Sequence, residues 1–124
     1  AASHALDYDD VVLAMSGHPS VPVWPALLAL AEARGASGRA ILAAFVAGFE
    51  MESRIGMLVM PAHYSVGFHS TGTLGTFGAA AACAHLLGLS QEQWQTAMGI
   101  AGAQADDVDG TAHTASTFPD SRLR

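Results

Sequence analysis

Two histidines precede predicted helices, and this position favours chemistry on an anionic ligand. His18 directly precedes Pro19, and His69 follows Gly67 and Phe68. The first turn of a helix has unpaired backbone N–H groups and the positive end of the helix dipole, so anions bind there. An imidazole beside it is able to exchange a proton near neutral pH. The pair predicts a carboxylate site; the alternative is that each histidine is an ordinary cap or a half-buried loop residue.

The six histidines and an acidic N-terminal segment also raise the question of a metal site. Asp7, Asp9 and Asp10 offer oxygen ligands, but no two histidines have the i, i+4 spacing of a helical zinc motif. His63 and His69 are separated by a predicted loop. We therefore predict no metal site and interpret the acidic segment as a solvated carboxylate cluster. The remaining histidines are predicted to be structural: His4, His85 and His113.

Composition limits the protein to a few classes. The chain has 124 residues, of which 51% are hydrophobic and 13% charged, as expected for one domain that buries a core. A net charge of −6 without any lysine argues against binding to nucleic acid or to an anionic membrane. The single cysteine, Cys83, forms no internal disulfide and holds no iron–sulfur cluster by itself, which favours a reducing, cytoplasmic location.

Neither a membrane span nor a signal peptide is predicted. The apolar runs are interrupted before they reach the roughly 20 residues that a span requires. The interrupting residues are Arg34, Arg39, Glu50, Glu52 and Arg54. The N-terminus lacks both an initiator methionine and a basic region followed by an apolar one. We expect it to be a cut through a longer chain.

Helical periodicity and local start and stop signals predict an all-α fold with almost no strand. The predicted helices run from Pro22 or Pro25 to Arg34, from Ser37 to about Leu58, from Ser70 to Leu87, and from Ser90 to about Ala103. Ser37 is the expected N-cap of the second helix, and Gly35 and Gly88 are expected to end the first and third in the left-handed conformation. Ser90 and Gln93 match a capping box. Residues 60–67 are predicted to be a loop and residues 105–124 an irregular tail.

The apolar residues predict which faces are buried. In the first helix they are Leu27, Leu28, Leu30 and Ala31. In the second they are Ile41, Phe45, Phe49, Ile55 and Met57, with Arg39, Glu50, Glu52 and Arg54 expected to face water. Gly72, Gly75 and Gly78 are spaced by three, and no predicted strand precedes them, so they indicate close helix packing rather than a phosphate-binding loop.

An ordered set of short motifs resembles the MmgE/PrpD family, which includes 2-methylcitrate dehydratase and cis-aconitate decarboxylase. The motifs include Ala5-Leu6-Asp7-Tyr8-Asp9-Asp10, His18-Pro19-Ser20, Pro25 to Glu32, Gly67-Phe68-His69-Ser70-Thr71 and Gly75 to Ala80. The likeness covers residues 1–104. It implies a cofactor-independent lyase with a helical domain and a smaller lid domain, acting on small polycarboxylates as a homodimer, and it implies that Asp7, His18 and His69 are catalytic.

The sequence also departs from the family pattern. Val11 follows the Asp-Asp pair where the family often has threonine, and the spacing from Asp7 to His18 contains an extra residue. After Gly110-Thr111 the resemblance leads us to expect a Thr-Lys segment, but Ala112 and His113 follow. Two hypotheses result. The chain is the helical part of a 2-methylcitrate dehydratase-like lyase that is inactive without its lysine and lid, or it is a nonenzymatic helical module that associates with itself or a partner.

Overall fold

The structure is a computed structural model that describes residues 2–106. Its helices are α1 (Ala2–Ala5), α2 (Ser20–Arg34), α3 (Gly38–Val59), α4 (Ala62–Ser65), α5 (Ser70–Leu87) and α6 (Gln91–Asp106), with a 3₁₀ turn at Leu13–Met15. Within residues 2–106 the only β pairing is an isolated bridge between Val12 and Gly17. The predicted all-α class is therefore confirmed. No helix in this range is long and apolar enough to cross a membrane.

The predicted caps explain where the long helices begin and end. The Oγ of Ser37 accepts a hydrogen bond from the backbone N–H of Ala40 at 3.3 Å. Gly35 and Gly88 adopt φ angles of 60° and 63°, the left-handed conformation that glycine adopts without strain. At the start of α6, the Ser90 N–H donates to Gln93 Oε1 at 2.9 Å, and the Gln93 N–H donates to Ser90 Oγ at 3.3 Å. These local predictions are confirmed.

Several predicted boundaries differ from the structure. Helix α2 begins at Ser20, five residues before Pro25, which lies inside it. The early start is tolerated because Pro22 falls in the first turn, where no intrahelical N–H bond exists, and Pro25 removes only one. The predicted loop at residues 60–67 contains α4. Helix α6 extends to Asp106, so the first two residues of the predicted tail are helical, and the remainder lies outside the described residues.

Helix α5 is the centre of the bundle and packs against α3, α2 and α6. Its glycines permit this, as their spacing predicted. A side chain added at Gly75 would collide with the ring of Pro22 on α2, and one added at Gly78 would lie 2.7 Å from the carboxyl carbon of Glu52 on α3. From the other side, the carbonyl of Gly78 leaves no room for a side chain at Gly48. The helices therefore approach almost backbone to backbone.

The predicted buried face of α3 was wrong at Glu52, which was expected to face water but is fully buried. The residues of α3 that are fully buried follow an i, i+4 stripe of Ala44, Gly48, Glu52 and Gly56. Met57, predicted to be inside, is 56% exposed, and Leu28 of α2 is 51% exposed. Small residues face α5 because the close approach excludes large ones, so the larger apolar residues of α3 flank the stripe. Among them Phe45 stacks on Trp24 with ring centroids 4.5 Å apart.

Candidate active site

Two hydrogen bonds from backbone N–H groups to side-chain oxygens connect the N-terminal segment with the beginnings of α2 and α5. The backbone N–H of His18 donates to Thr71 Oγ1 at 3.0 Å, in the first turn of α5. The backbone N–H of Ser20, the first residue of α2, donates to Asp10 Oδ1 at 3.0 Å. The Ser20 bond satisfies one of the backbone N–H groups that the first turn of α2 leaves unpaired. The two bonds fix His18 between the N-termini of the two helices.

A carboxylate between two imidazoles forms the centre of the site. Asp9 Oδ2 lies 2.7 Å from His4 Nδ1 and 3.2 Å from His18 Nδ1. The first pair is a hydrogen bond, whereas the second has no hydrogen-bonding geometry and leaves His18 Nδ1 buried without a partner. The side chain of Asp9 is only 3% exposed, and that of His4 is 38% exposed. We call His4, Asp9 and His18 the His–Asp cluster.

The ring of His4 also joins the two histidines that the sequence singled out. It meets the His18 ring edge to face, with centroids 4.7 Å apart, and it lies 6.1 Å from the His69 ring. His69 is the N-cap residue of α5, and His18 lies two residues before the start of α2. The structure therefore brings His18 and His69 to one place, at two helix N-termini, as the anion-site interpretation requires.

The charge state of Asp9 follows from its partners. Burial by itself would raise the pKa of Asp9, but the hydrogen bond from His4, a backbone hydrogen bond and the positive charges of His18 and His4 outweigh it, so the pKa lies below its ordinary value. Asp9 is thus a carboxylate at neutral pH. A carboxylate at Nδ1 orients an imidazole and leaves its Nε2 to face a ligand.

Asp7 does not share the contacts of this cluster. Its side chain is exposed, and its φ of 54° places it in the left-handed region that Asp and Asn tolerate better than most residues. Among residues 2–106, the acidic side chain that contacts the histidines is that of Asp9. The structure brings together two of the three residues that the resemblance implies, His18 and His69, and shows no contact of Asp7 with either.

Another histidine, His63, lies outside this cluster and lines an apolar cavity of about 520 Å³ between α3, α5 and α6. Its Nε2 lies 2.6 Å from Thr73 Oγ1, and its ring stacks on Phe68 at 4.9 Å. Burial lowers the pKa of His63, so it is neutral at pH 7. The lining includes Phe77 and Leu74. Among the described residues that line this cavity there is no arginine that could pair with a carboxylate.

The sequence did not identify His4 and Asp9 as a pair. His4 was interpreted as structural, and Asp9 as one of several solvated acids, because no regular element of the N-terminal segment gives their spacing a meaning. The useful signal was the concentration of acidic residues just before His18. Only the fold of residues 4–18, which returns past Asp9 to the start of α2, makes one of them a partner of two imidazoles.

Comparison with known proteins identifies the family of this chain. The sequence model of the MmgE/PrpD N-terminal domain matches residues 1–119. The chain belongs to the MmgE/PrpD family. The match extends past residue 104, where the motif resemblance ended.

Curated relatives within the family are named as cis-aconitate decarboxylases or proteins like them. A cis-aconitate decarboxylase-like protein of Aspergillus oryzae is 38% identical over 109 residues, which cover 82% of this chain and 23% of the relative. Cis-aconitate decarboxylase of Homo sapiens is 38% identical over 109 residues, covering 84% and 22%. The Mus musculus protein of the same name is 37% identical over 115 residues. This chain thus spans less than a quarter of these relatives. No solved structure matches it.

Proposed function

We propose that this chain forms part of the active site of a lyase acting on small polycarboxylates, with His18 and His69 as its proton-transfer groups. The observation that carries the proposal is the placement of both imidazoles around His4 at the N-termini of α2 and α5. The positive helix ends attract a substrate carboxylate, and the imidazoles exchange protons near neutral pH.

Decarboxylation of a cis-aconitate-like substrate is the reaction we favour. When the carbon–carbon bond to the carboxylate breaks, carbon dioxide leaves and the electron pair stays on the substrate carbon, which then takes a proton from an imidazolium. The relatives' names support this reaction over the dehydration of 2-methylcitrate that the sequence resemblance suggested. Dehydration needs both a base for the carbon-bound proton and an acid for the hydroxyl, which two histidines also supply.

The cluster by itself has too little positive charge to hold a polycarboxylate firmly. The arginines within residues 2–106 are Arg34, Arg39 and Arg54, all exposed, and Arg54 pairs with Glu50 at 2.9 Å. Asp9 and Asp10 add negative charge beside the imidazoles. We propose that cations from outside the described residues complete the site, as the lysine implied by the resemblance would. The chain alone should therefore show weak anion binding and no measurable turnover.

The test is a chimaera in which this chain replaces the matching segment of the human cis-aconitate decarboxylase. We expect carbon dioxide release from cis-aconitate and none from 2-methylcitrate. His69→Ala and His18→Ala should each lower kcat by at least about 100-fold, the usual contribution of general acid–base catalysis. His85→Ala, an exposed histidine near the end of α5, is the matched control and should keep the parent rate. A His69→Ala chimaera with parental kcat would refute the assignment.

Self-association is a second function, favoured by one specific observation. Helix α3 exposes Leu42 and Val46, 60% and 58% accessible and one turn apart on the same face. Exposed apolar patches often mark interfaces, and homodimers are the commonest assemblies. Light scattering of the 124-residue chain at tens of micromolar should give a dimer mass. Leu42→Gln with Val46→Gln should give a monomer, whereas Ala33→Gln on α2 should not. A monomer mass for the unmodified chain would contradict this function.

A further inference from the structure

We propose that the His–Asp cluster binds one divalent transition-metal ion, with zinc as the representative ion, through His4 Nδ1, Asp9 Oδ2 and His18 Nδ1. One ring nitrogen of each histidine and one carboxylate oxygen of Asp9 all lie within 4.8 Å of one another, and Oδ2 of Asp9 lies 2.7 Å and 3.2 Å from the two Nδ1 atoms. The proposal concerns ion binding alone and does not depend on the reaction proposed above. It goes against the sequence prediction, which found no metal site because no histidine pair had helical spacing.

The ligand distances are close to those of a coordinated ion. Metal–ligand bonds of about 2.0 to 2.1 Å in a tetrahedral site place neighbouring ligand atoms about 3.3 Å apart. Asp9 Oδ2 and His18 Nδ1 are 3.2 Å apart. The 2.7 Å between Asp9 Oδ2 and His4 Nδ1 has to open by roughly half an ångström, which a small rotation of the partly exposed His4 side chain achieves.

One ligand atom lacks the partner that an ion would supply. His18 Nδ1 is buried without a hydrogen bond, although the carboxylate of Asp9 is 3.2 Å away. An unpaired buried polar atom costs free energy, and an ion between the two atoms would satisfy both. The backbone of His18 is already held by Thr71 Oγ1, so this ligand is positioned before an ion arrives.

The ligand set selects the class of ion. Two imidazoles and one carboxylate are typical of zinc and of non-haem iron sites, whereas calcium and magnesium prefer oxygen ligands throughout. Local charge also favours a cation. Asp9 is ionised, and both Asp9 and Asp10 line a cavity of about 280 Å³. Among residues 2–106, no arginine forms an ion pair with this segment. The half-exposed His4 gives an ion access from solvent.

Occupation by an ion would change what the site is able to do. Coordination through Nδ1 requires a neutral His18 imidazole and places the positive charge of the ion beside the carboxylate of Asp9. In the proposed lyase, an ion at this position would alter proton transfer by His18. Binding is therefore measured directly, without turnover, so that a failure of the metal site and a failure of the proposed reaction are distinguished.

The experiment is titration of the complete 124-residue chain with zinc by calorimetry at pH 7.5. We expect one equivalent to bind, with at least about tenfold weaker affinity in His4→Ala and in Asp9→Asn, since even changes to residues behind the ligands weaken metal sites by 10- to 100-fold. His85→Ala, which removes an exposed histidine away from the cluster, should bind as the parent does. Unchanged affinity in the two cluster variants, or an equal loss in His85→Ala, would overturn the proposal.

A second measurement on the unmodified chain covers the possibility that the variants unfold. Substoichiometric cobalt should broaden the imidazole NMR signals of His4 and His18 and leave those of His85 sharp. Equal broadening of all histidines would mean adventitious surface binding and would overturn the proposal. So would sharp His4 and His18 signals in the presence of one equivalent of cobalt.

Discussion

Two buried carboxyl groups, one in the α3–α5 interface and one in the His–Asp cluster, have opposite pKa shifts. Glu52 has no exposed surface, and neither of its oxygens has a hydrogen-bond partner. Burial, with a smaller effect from the negative charge of Asp10, raises its pKa to about 8. Asp9 is almost as inaccessible, yet its pKa is lowered because His4 and His18 surround it. Burial alone therefore does not decide ionisation; partners do.

The difference separates a packing group from a group able to do chemistry. At neutral pH Glu52 is mostly protonated and acts as a polar filler among Gly75, Gly78 and their neighbours. Asp9 is ionised, accepts a hydrogen bond from His4 and lies 3.2 Å from the ring nitrogen of His18. The α3–α5 interface thus contains a carboxyl group that is mostly neutral at pH 7, and the N-terminal segment contains one that is ionised. Each of the following predictions tests one side of this contrast.

The largest expected effect is a loss of stability, caused by Glu52, as the pH rises from about 4.5 to about 8. Its pKa of about 8 in the folded chain exceeds the ordinary 4.5, so the folded state keeps a proton that the unfolded state has released. This stabilisation is complete below about pH 4.5 and is lost as the pH rises toward 8, with a slope of at most about 1.4 kcal/mol per pH unit.

Urea unfolding followed by circular dichroism from pH 5 to pH 8 measures this effect. Glu52→Gln removes the titration and keeps the shape, so it should flatten the slope relative to the unmodified chain. The difference between the two proteins cancels the opposite contribution of His63, whose lowered pKa favours the folded state as the pH rises. Parallel curves for the two proteins would show that Glu52 is not a buried neutral acid.

A smaller effect should follow from disturbing the close approach that buries Glu52. In Gly48→Ala, the new methyl group meets the carbonyl of Gly78 and lies 2.9 Å from Ala82 Cβ. Overpacking of this kind costs about 1 to 3 kcal/mol, more than the helix propensity of about 1 kcal/mol that alanine contributes. Gly99→Ala on α6 has no neighbour within 4 Å and should stabilise instead. Equal unfolding midpoints for the two variants would contradict the packing described.

The smallest effect concerns Asp9 and appears on the acid side. Because its folded pKa is below the ordinary value of 3.8, the stabilisation is complete above pH 3.8 and is lost as the pH falls through the folded pKa. Asp9→Asn should therefore lower the melting temperature at pH 6. On acidification to pH 2, the melting temperature of this variant should fall by less than that of the unmodified chain. Asp7→Asn, at an exposed position with a left-handed backbone, is the control and should change neither value. A larger effect in Asp7→Asn would reverse our assignment of the paired acid.

The parts of the fold that were predictable depend on local signals. Ser37, Gly35, Gly88 and the Ser90–Gln93 pair act within a turn of their own positions, so sequence alone located the helix ends that they determine. The buried face of α3 was not predictable from hydrophobicity. There the short distance between backbones selects glycine and alanine. Glu52 occupies the same i, i+4 stripe and is buried in a mostly protonated form, which its residue type does not predict.

The candidate site was predictable in part for a similar reason. His18 and His69 carried a local signal, their position before a helix, and the family motifs contained them. The His4–Asp9 hydrogen bond depends on the path of residues 4–18, which has no periodicity to read. Asp7 stands at the position that the family motif implies, but the carboxylate that contacts His4 and His18 is that of Asp9. A motif therefore located the region, and tertiary contacts determined which acid meets the imidazoles.

The central claim is that the rings of His18 and His69 both lie beside the ring of His4. Ring-to-ring nuclear Overhauser effects in the 124-residue chain test this claim most directly. We predict a strong cross-peak between His4 and His18 ring protons and a weaker one between His4 and His69, matching centroid separations of 4.7 Å and 6.1 Å. The stacked pair His63 and Phe68, 4.9 Å apart, provides an internal standard. A visible His63–Phe68 cross-peak without any from His4 to His18 would contradict the account.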